Sequence, residues 1–139
     1  MTTAVNTNVI VALWDLDPAL STTARSALDG ALAGGSLVIC APVFSELMAA
    51  PSRTEGFLDS FFGETGIRVE WILEEAVWRS AGRALQAYAG RRRKESSGLR
   101  RILADFLIGA HALEGGHRLL TFDDHLYRAA FPSLSPVRL

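Results

Sequence analysis

The feature that most constrains this chain is an alternation of two periodicities. Short apolar runs closed by Gly, Pro, Asn or Asp take turns with longer stretches in which apolar residues recur at helical spacing. A first strand is predicted at Thr3 to Asn6, with a helix from Asn8. Pro18 to Leu32 has a second helical pattern, with Asp17 placed to cap it and Gly34-Gly35 to stop it. Leu37 to Cys40 reads as a buried strand, Pro42 to Ala50 as a helix halted by Pro51, Thr54 to Phe62 as another helix and Arg68 to Ile72 as a third strand. A long helix is predicted from Glu74 to Arg93, acidic at its start and basic at its end, as the helix dipole favours. Leu99 to Leu113 is a further helix, Arg118 to Phe122 a strand, Asp124 to Ala130 a helical turn or two, and Pro136 to Leu139 a terminal edge strand. Strand followed by helix, repeated, predicts right-handed crossovers and a mainly parallel sheet covered on both faces, a three-layer α/β/α sandwich.

With 139 residues, 49% of them hydrophobic and 21% charged, the chain should form one domain over residues 1–139. No apolar run approaches the roughly 18 residues of a membrane span, and the N-terminus lacks a secretory pattern. Both point to the cytoplasm and away from a membrane partner. Cys40, the single cysteine, lies in an apolar run and is expected to be a small buried hydrophobe, which excludes a cysteine-based zinc site. His111, His117 and His125 show no metal-ligand spacing and read as surface or helix-packing residues, and Trp14, Trp71 and Trp78 as core or interface anchors.

The net charge of −1 hides a split. Arg91 to Arg101, RRRKESSGLRR, holds six of the fourteen basic residues and one acid, a local +5 that leaves −6 for the rest. Arg91, Arg92, Arg93, Lys94, Arg100 and Arg101 are candidate phosphate contacts that would attract a polyanion by a salt-sensitive term. The competing reading is a solvated helix end.

Several carboxylates need an explanation. Asp105 is the only acid of ILADFLIGAHAL and lies roughly 130° from the middle of its apolar stripe, so it flanks the core. It must pair with a base such as Arg101 or hold a cation. Glu46 sits on the apolar helix VFSELMA, where solvation in a first turn is the plainer account. Asp123 and Asp124 follow a buried strand, at the carboxyl end where ligands collect in such sheets, though either could simply cap the next helix. In a doubly wound sheet the ends carrying Asn6, Glu46, Asp105 and Asp123 could converge at one edge. Such an oxygen-rich set suits Mg²⁺ or Mn²⁺.

Four segments, VNTNVIVAL, APVFSEL, LADFLIGAHAL and LLTFDDHLYRAAFPSL, are together similar to the PIN-domain family, and within it to VapC-type toxins of bacterial toxin–antitoxin pairs. The resemblance implies an α/β/α sandwich with metal-dependent endoribonuclease activity on RNA. It places the four acidic positions of the family on Asn6, Glu46, Asp105 and Asp123, with Thr121 as the accompanying hydroxyl. It also implies a homodimer neutralised by a cognate antitoxin. This chain departs from the family at Asn6, where aspartate is expected. A deliberate silencing substitution is favoured, because the other three acids and Thr121 are present. A naturally weakened homologue is a second account. The third is that Asn6 is a turn residue in an enzyme using three acids, with Asp124 supplying a fourth. The rival from another class is a non-catalytic RNA- or protein-binding module on the same fold.

Overall fold

The computed structural model describes residues 1–94, 102–137 and 139, and the side chains of residues 92–94 are not described. Its order is β1 (Thr2–Val5), α1 (Thr7–Leu13), α2 (Pro18–Ala33), β2 (Ser36–Cys40), α3 (Ala41–Leu47), α4 (Glu55–Thr65), β3 (Arg68–Glu70), α5 (Glu75–Lys94), α6 (Leu103–Glu114), β4 (Arg118–Leu120), α7 (Asp124–Ala130) and β5 (Pro136–Val137). Local chemistry accounts for most of the boundaries. Asp17 accepts the Ala19 amide at 3.0 Å ahead of Pro18, and Thr54 accepts the Phe57 amide at 3.0 Å. Gly66 closes α4 at φ 74°, in the left-handed region that glycine adopts without strain.

The sheet is parallel throughout, in the order β3-β2-β1-β4-β5. The chain moves outward from β1 through β2 to β3, then returns to lay β4 on the other side of β1. Right-handed crossovers therefore put α1 to α4 over one face and α5 to α7 over the other, which gives the α/β/α sandwich. At the reversal, β1 and β4 diverge toward opposite faces beyond their carboxyl ends, which opens a crevice there. Val38, Ile39, Leu119 and Leu120 are fully buried between the layers, as the unbroken apolar strands required.

Three expectations need correction. Strands β3 and β4 end at Glu70 and Leu120, two residues early, and α3 stops at Leu47 instead of Ala50. The sixth helix begins at Leu103 with Ile102 as its extended N-cap; the rest of the expected start, residues 99–101, lies outside the described residues. Trp71 and Trp78 are 60% and 50% exposed, so neither is a core anchor. Trp14 is half-buried at the margin of the core: it packs edge-on against Phe57 and Phe61, with the Arg53 guanidinium 4.6 Å above its ring. Cys40 is buried as expected, and burial pushes its thiol up to about 12.

Candidate active site at the sheet reversal

Asn6 ends β1 and caps α1 with its backbone, while its amide N–H continues the β1–β4 ladder to the Leu120 carbonyl at 3.0 Å. Its side chain, 6% exposed, crosses the same crevice: Nδ2 donates to Thr121 Oγ1 at 2.9 Å and to the Tyr127 hydroxyl at 3.4 Å. Tyr127 in turn donates to the Asp105 carbonyl at 3.0 Å, and Thr121 Oγ1 also accepts the Asp123 amide at 3.0 Å. Asn6, Thr121, Tyr127, and the backbones of Asp105 and Asp123 thus form one connected network. Asn8, the second asparagine of the opening motif, accepts the Phe122 amide at 3.3 Å and ties the exit of β4 to α1.

Three carboxylates lie around this network, and two of them have a contact that fixes them. Glu46, half-buried on α3, accepts a short hydrogen bond from Thr7 Oγ1 at 2.6 Å. Asp105 occupies the first turn of α6 and its Oδ2 accepts the Ile102 amide at 3.2 Å, satisfying one of the helix's otherwise open donors. Asp123 stands at the N-cap position of α7 but does not cap it, so the capping role considered for it is not the one it plays. Asp124, in the first helical turn, has Arg128 Nε 3.3 Å from its carboxylate. The Tyr127 hydroxyl reports the convergence: burial, and then the charges of Asp105, Asp123 and Glu46, push its pKa well above the usual range. It therefore stays protonated and acts as a donor.

Carboxylate and amide oxygens form a hard donor set that fits Mg²⁺ or Mn²⁺. Glu46, Asp105 and Asp123 do not bring their oxygens within 4.8 Å of one another; among the described residues, the group that meets this spacing is Glu70, His111 and His117. Mg²⁺ tolerates the wider arrangement, because it keeps several waters and takes only one or two carboxylates directly. A cleft of about 600 Å³ lies elsewhere, lined by Leu13, Trp14, Leu28 and Phe61, and contains none of these acids.

Sequence reasoning missed Tyr127, a member of the network, and Thr7, the partner of Glu46. Each had a faint signal: Thr7 follows Asn6 directly, and Tyr127 lies one helical turn beyond Asp123. Gly109 explains how Tyr127 arrives. A Cβ at this position would lie 2.4 Å from the Phe131 ring and 3.0 Å from the Tyr127 ring, so the missing side chain lets α7 close on α6. Of the basic residues named as phosphate contacts, Arg91 is exposed at the end of α5. The side chains of Arg92, Arg93 and Lys94, and the whole of Arg100 and Arg101, lie outside what is described.

His111 and His117 were assigned no ligand role, yet both imidazoles reach Glu70 at the end of β3. His111 Nε2 is 3.3 Å and His117 Nε2 is 3.6 Å from Glu70 Oε1. Burial holds the His111 pKa below its ordinary value, against the pull of Glu70.

A sequence profile of the PIN domain matches residues 4–132. Comparison with curated protein sequences found no match. Among solved structures, the chain is similar to one in the VapBC2 complex of Rickettsia felis bound to a promoter DNA fragment (TM-score 0.74, 18% identity, 100% of this chain and 99% of that one). It is also similar to a chain of VapBC-1 from nontypeable Haemophilus influenzae (0.67, 20%, 99% and 98%) and to one of FitAcB from Neisseria gonorrhoeae (0.66, 19%, 98% and 96%). At these identities the likeness is one of fold. The profile match spans nearly the whole chain and the crevice lies where this fold reverses, so the protein belongs to the PIN-domain family.

Proposed function

We propose that this chain is a VapC-type toxin, a metal-dependent endoribonuclease of a type II toxin–antitoxin pair, weakened by the amide at Asn6. The observation that carries the reading is the convergence of Glu46, Asp105 and Asp123 on the hydroxyl that binds Asn6, at the carboxyl ends of β1 and β4. Mg²⁺ or Mn²⁺ held there would lower the pKa of a bound water and offset charge on the leaving oxygen of a phosphodiester. Glu46, Asp105 and Asp123 are the proposed ligands, directly or through water, and Asp124 can join only by releasing Arg128. Thr7 and Thr121 fix the orientations of Glu46 and the Asp123 backbone, while Tyr127 fixes Asn6. One of the acids also takes the proton of the attacking water. Arg91, Arg92, Arg93, Lys94, Arg100 and Arg101 are the proposed phosphate contacts.

The solved structures with this fold include several toxin–antitoxin complexes, which supports a cognate antitoxin as partner. Trp71, Ile72 and Trp78 remain exposed, an apolar surface of the kind a homodimer or an antitoxin covers. No described helix is long and apolar enough to cross a membrane, in keeping with action on cytoplasmic RNA.

Asn6 itself favours a second reading, a non-catalytic binding module, because it brings two donor hydrogens where the family brings charge. The test is cleavage of a mixed RNA pool by the Asn6→Asp variant with and without EDTA. Metal-dependent cleavage that disappears when Asp105→Ala is added supports the nuclease. Equal cleavage after Asp105→Ala refutes the assignment, and no cleavage by either form favours the module.

A further inference from the structure

We propose that Glu70, His111 and His117 form a second metal site, selective for Zn²⁺ and similar transition dications and separate from the acidic crevice. The three ligand atoms lie within 4.8 Å of one another. Zn²⁺ bound at about 2.0–2.1 Å in a tetrahedron separates its ligand atoms by about 3.4 Å. Two of the edges, 3.3 Å and 3.6 Å from Glu70 Oε1, match that figure. A hydrogen bond does not describe the contact as well. His111 is 5% exposed, and its Nε2 is the one buried side-chain polar atom among the described residues that has no hydrogen-bond partner, despite facing a carboxylate. A buried, unsatisfied nitrogen is costly unless something else uses its lone pair.

Three distant segments build the arrangement. Register pairs Cys40 with Glu70, which sets Glu70 at the outer edge of the sheet with its carboxylate on the face that α6 covers. His111 lies near the end of α6. The chain then turns back on Gly115 and Gly116, with Gly116 at φ 69° and the His117 amide bonded to the Ala112 carbonyl at 2.8 Å. A Cβ at Gly115 would lie 2.5 Å from His117 Nε2, so only glycine leaves room for the ring beside His111. Arg68 Nη2 lies 3.7 Å from Glu70, and its largely exposed side chain can swing away when an ion arrives.

Two imidazole nitrogens and one carboxylate oxygen form a borderline set, preferred by Zn²⁺, Co²⁺ and Ni²⁺ and poor for Mg²⁺. Three protein ligands leave a fourth position. Glu70 is the most exposed of the three, so solvent supplies a water from that side. A bound ion would clip β3 to the end of α6 and the entry to β4, a structural role with no part in RNA cleavage.

The test uses the whole chain, stripped with EDTA and titrated with ZnCl₂ by calorimetry and with CoCl₂ by absorption spectroscopy. The expected result is one ion per chain and a tetrahedral Co²⁺ spectrum. In a histidine NMR spectrum, the His111 and His117 ring signals shift while exposed His125 does not. His117→Ala and Glu70→Gln should each weaken binding at least about tenfold, whereas Asp105→Ala should leave it unchanged. Absence of binding at micromolar Zn²⁺, unshifted His111 and His117 signals, or undiminished affinity in His117→Ala would each overturn the site and leave only a polar cluster. The NMR experiment needs no variant, so a poorly folding substitution cannot obscure the result.

Discussion

Replacing Asn6 by aspartate should make the stability of this protein depend more strongly on Mg²⁺, and the network around the residue sets the size of the effect. Asn6 now donates twice, to Thr121 and to Tyr127. A carboxylate can recover the first bond, because Thr121 Oγ1 only accepts in the contacts described and has its hydrogen to give. It recovers the second only by taking the Tyr127 hydrogen away from the Asp105 carbonyl. It also introduces a fourth charge among Glu46, Asp105 and Asp123. Like charges about 7 Å apart at an effective dielectric of about 20 repel by roughly 2.4 kcal/mol, so three such pairs approach 7 kcal/mol in gross terms. Protonation limits the damage: holding the new carboxyl neutral at pH 7 costs at most about 4 kcal/mol, and the hydrogen bond recovered from Thr121 offsets about 1 kcal/mol of it, which leaves a net loss near 3 kcal/mol. In EDTA, Asn6→Asp should therefore melt roughly 6–12 °C below the parent chain. A dication removes the repulsion, and Mg²⁺ at about 100 times Kd adds about 2.7 kcal/mol, enough to restore the loss. Mg²⁺ is the right probe because the imidazole cluster does not compete for it. Thermal melts of both forms, with EDTA and with a Mg²⁺ series, make the comparison. An aspartate variant at least as stable as the parent in EDTA, or no more responsive to Mg²⁺, would refute the view that Asn6 sits within a shared carboxylate field.

Two other perturbations probe the scaffold. Gly109→Ala should cost about 1–3 kcal/mol in chemical denaturation by forcing the Phe131 and Tyr127 rings off α6, and should reduce any cleavage gained by Asn6→Asp through displacement of Tyr127; a neutral effect on both would show that the packing of α7 does not set the site. Cys40 gives an alkaline signature: its thiol ionises at about 12 when folded against 9.0 unfolded, so above pH 9 the unfolded chain sheds a proton that the folded chain keeps. Stability should fall as pH rises through that window, by roughly 1.4 kcal/mol at pH 10, and Cys40→Ala should flatten the slope in denaturation curves measured from pH 8 to 10.

Local chemistry was the legible part of this sequence. Asp17 before Pro18, Thr54 before an amphipathic run, and acids at one end of α5 with bases at the other all act within a turn of themselves, and each marked the start of its helix within a residue, although α4 runs on to Thr65, past its expected end at Phe62. Asn6, Glu46, Asp105 and Asp123, the proposed site, drew notice for a related reason: each sits at an element boundary or on an otherwise apolar helix, where a polar side chain needs an explanation. Strand pairing order left no such local trace. Nothing near Glu70 announces that β3 lies on the face α6 covers, and the separation of His111 from His117 has meaning only once Gly116 folds the chain back at φ 69°. Side-chain direction was equally hidden. Size made Trp71 and Trp78 core or interface candidates alike, and the structure removes the first alternative: β3 ends at Glu70 and leaves Trp71 beyond the sheet, while Trp78 falls on the outer side of α5.

The same reversal of strand order also bears on the charge split along the chain. The crossover from β3 back to β4 is the longest in the protein, and it carries both α5 and α6. The basic run begins in the last turn of α5 and ends at Arg101, directly before the Ile102 whose amide binds Asp105. Whatever course residues 95–101 take, Arg100 and Arg101 are tethered within five residues of a proposed metal ligand. On the proposed reading, a polyanion drawn to the +5 segment would be held close along the chain to the carboxylates that would otherwise repel it. The proposal consequently ties salt to chemistry: neutralising Arg100 and Arg101 should weaken RNA capture without altering Mg²⁺ affinity as strongly as loss of Asp105, because the two functions share a chain segment but not a set of ligands.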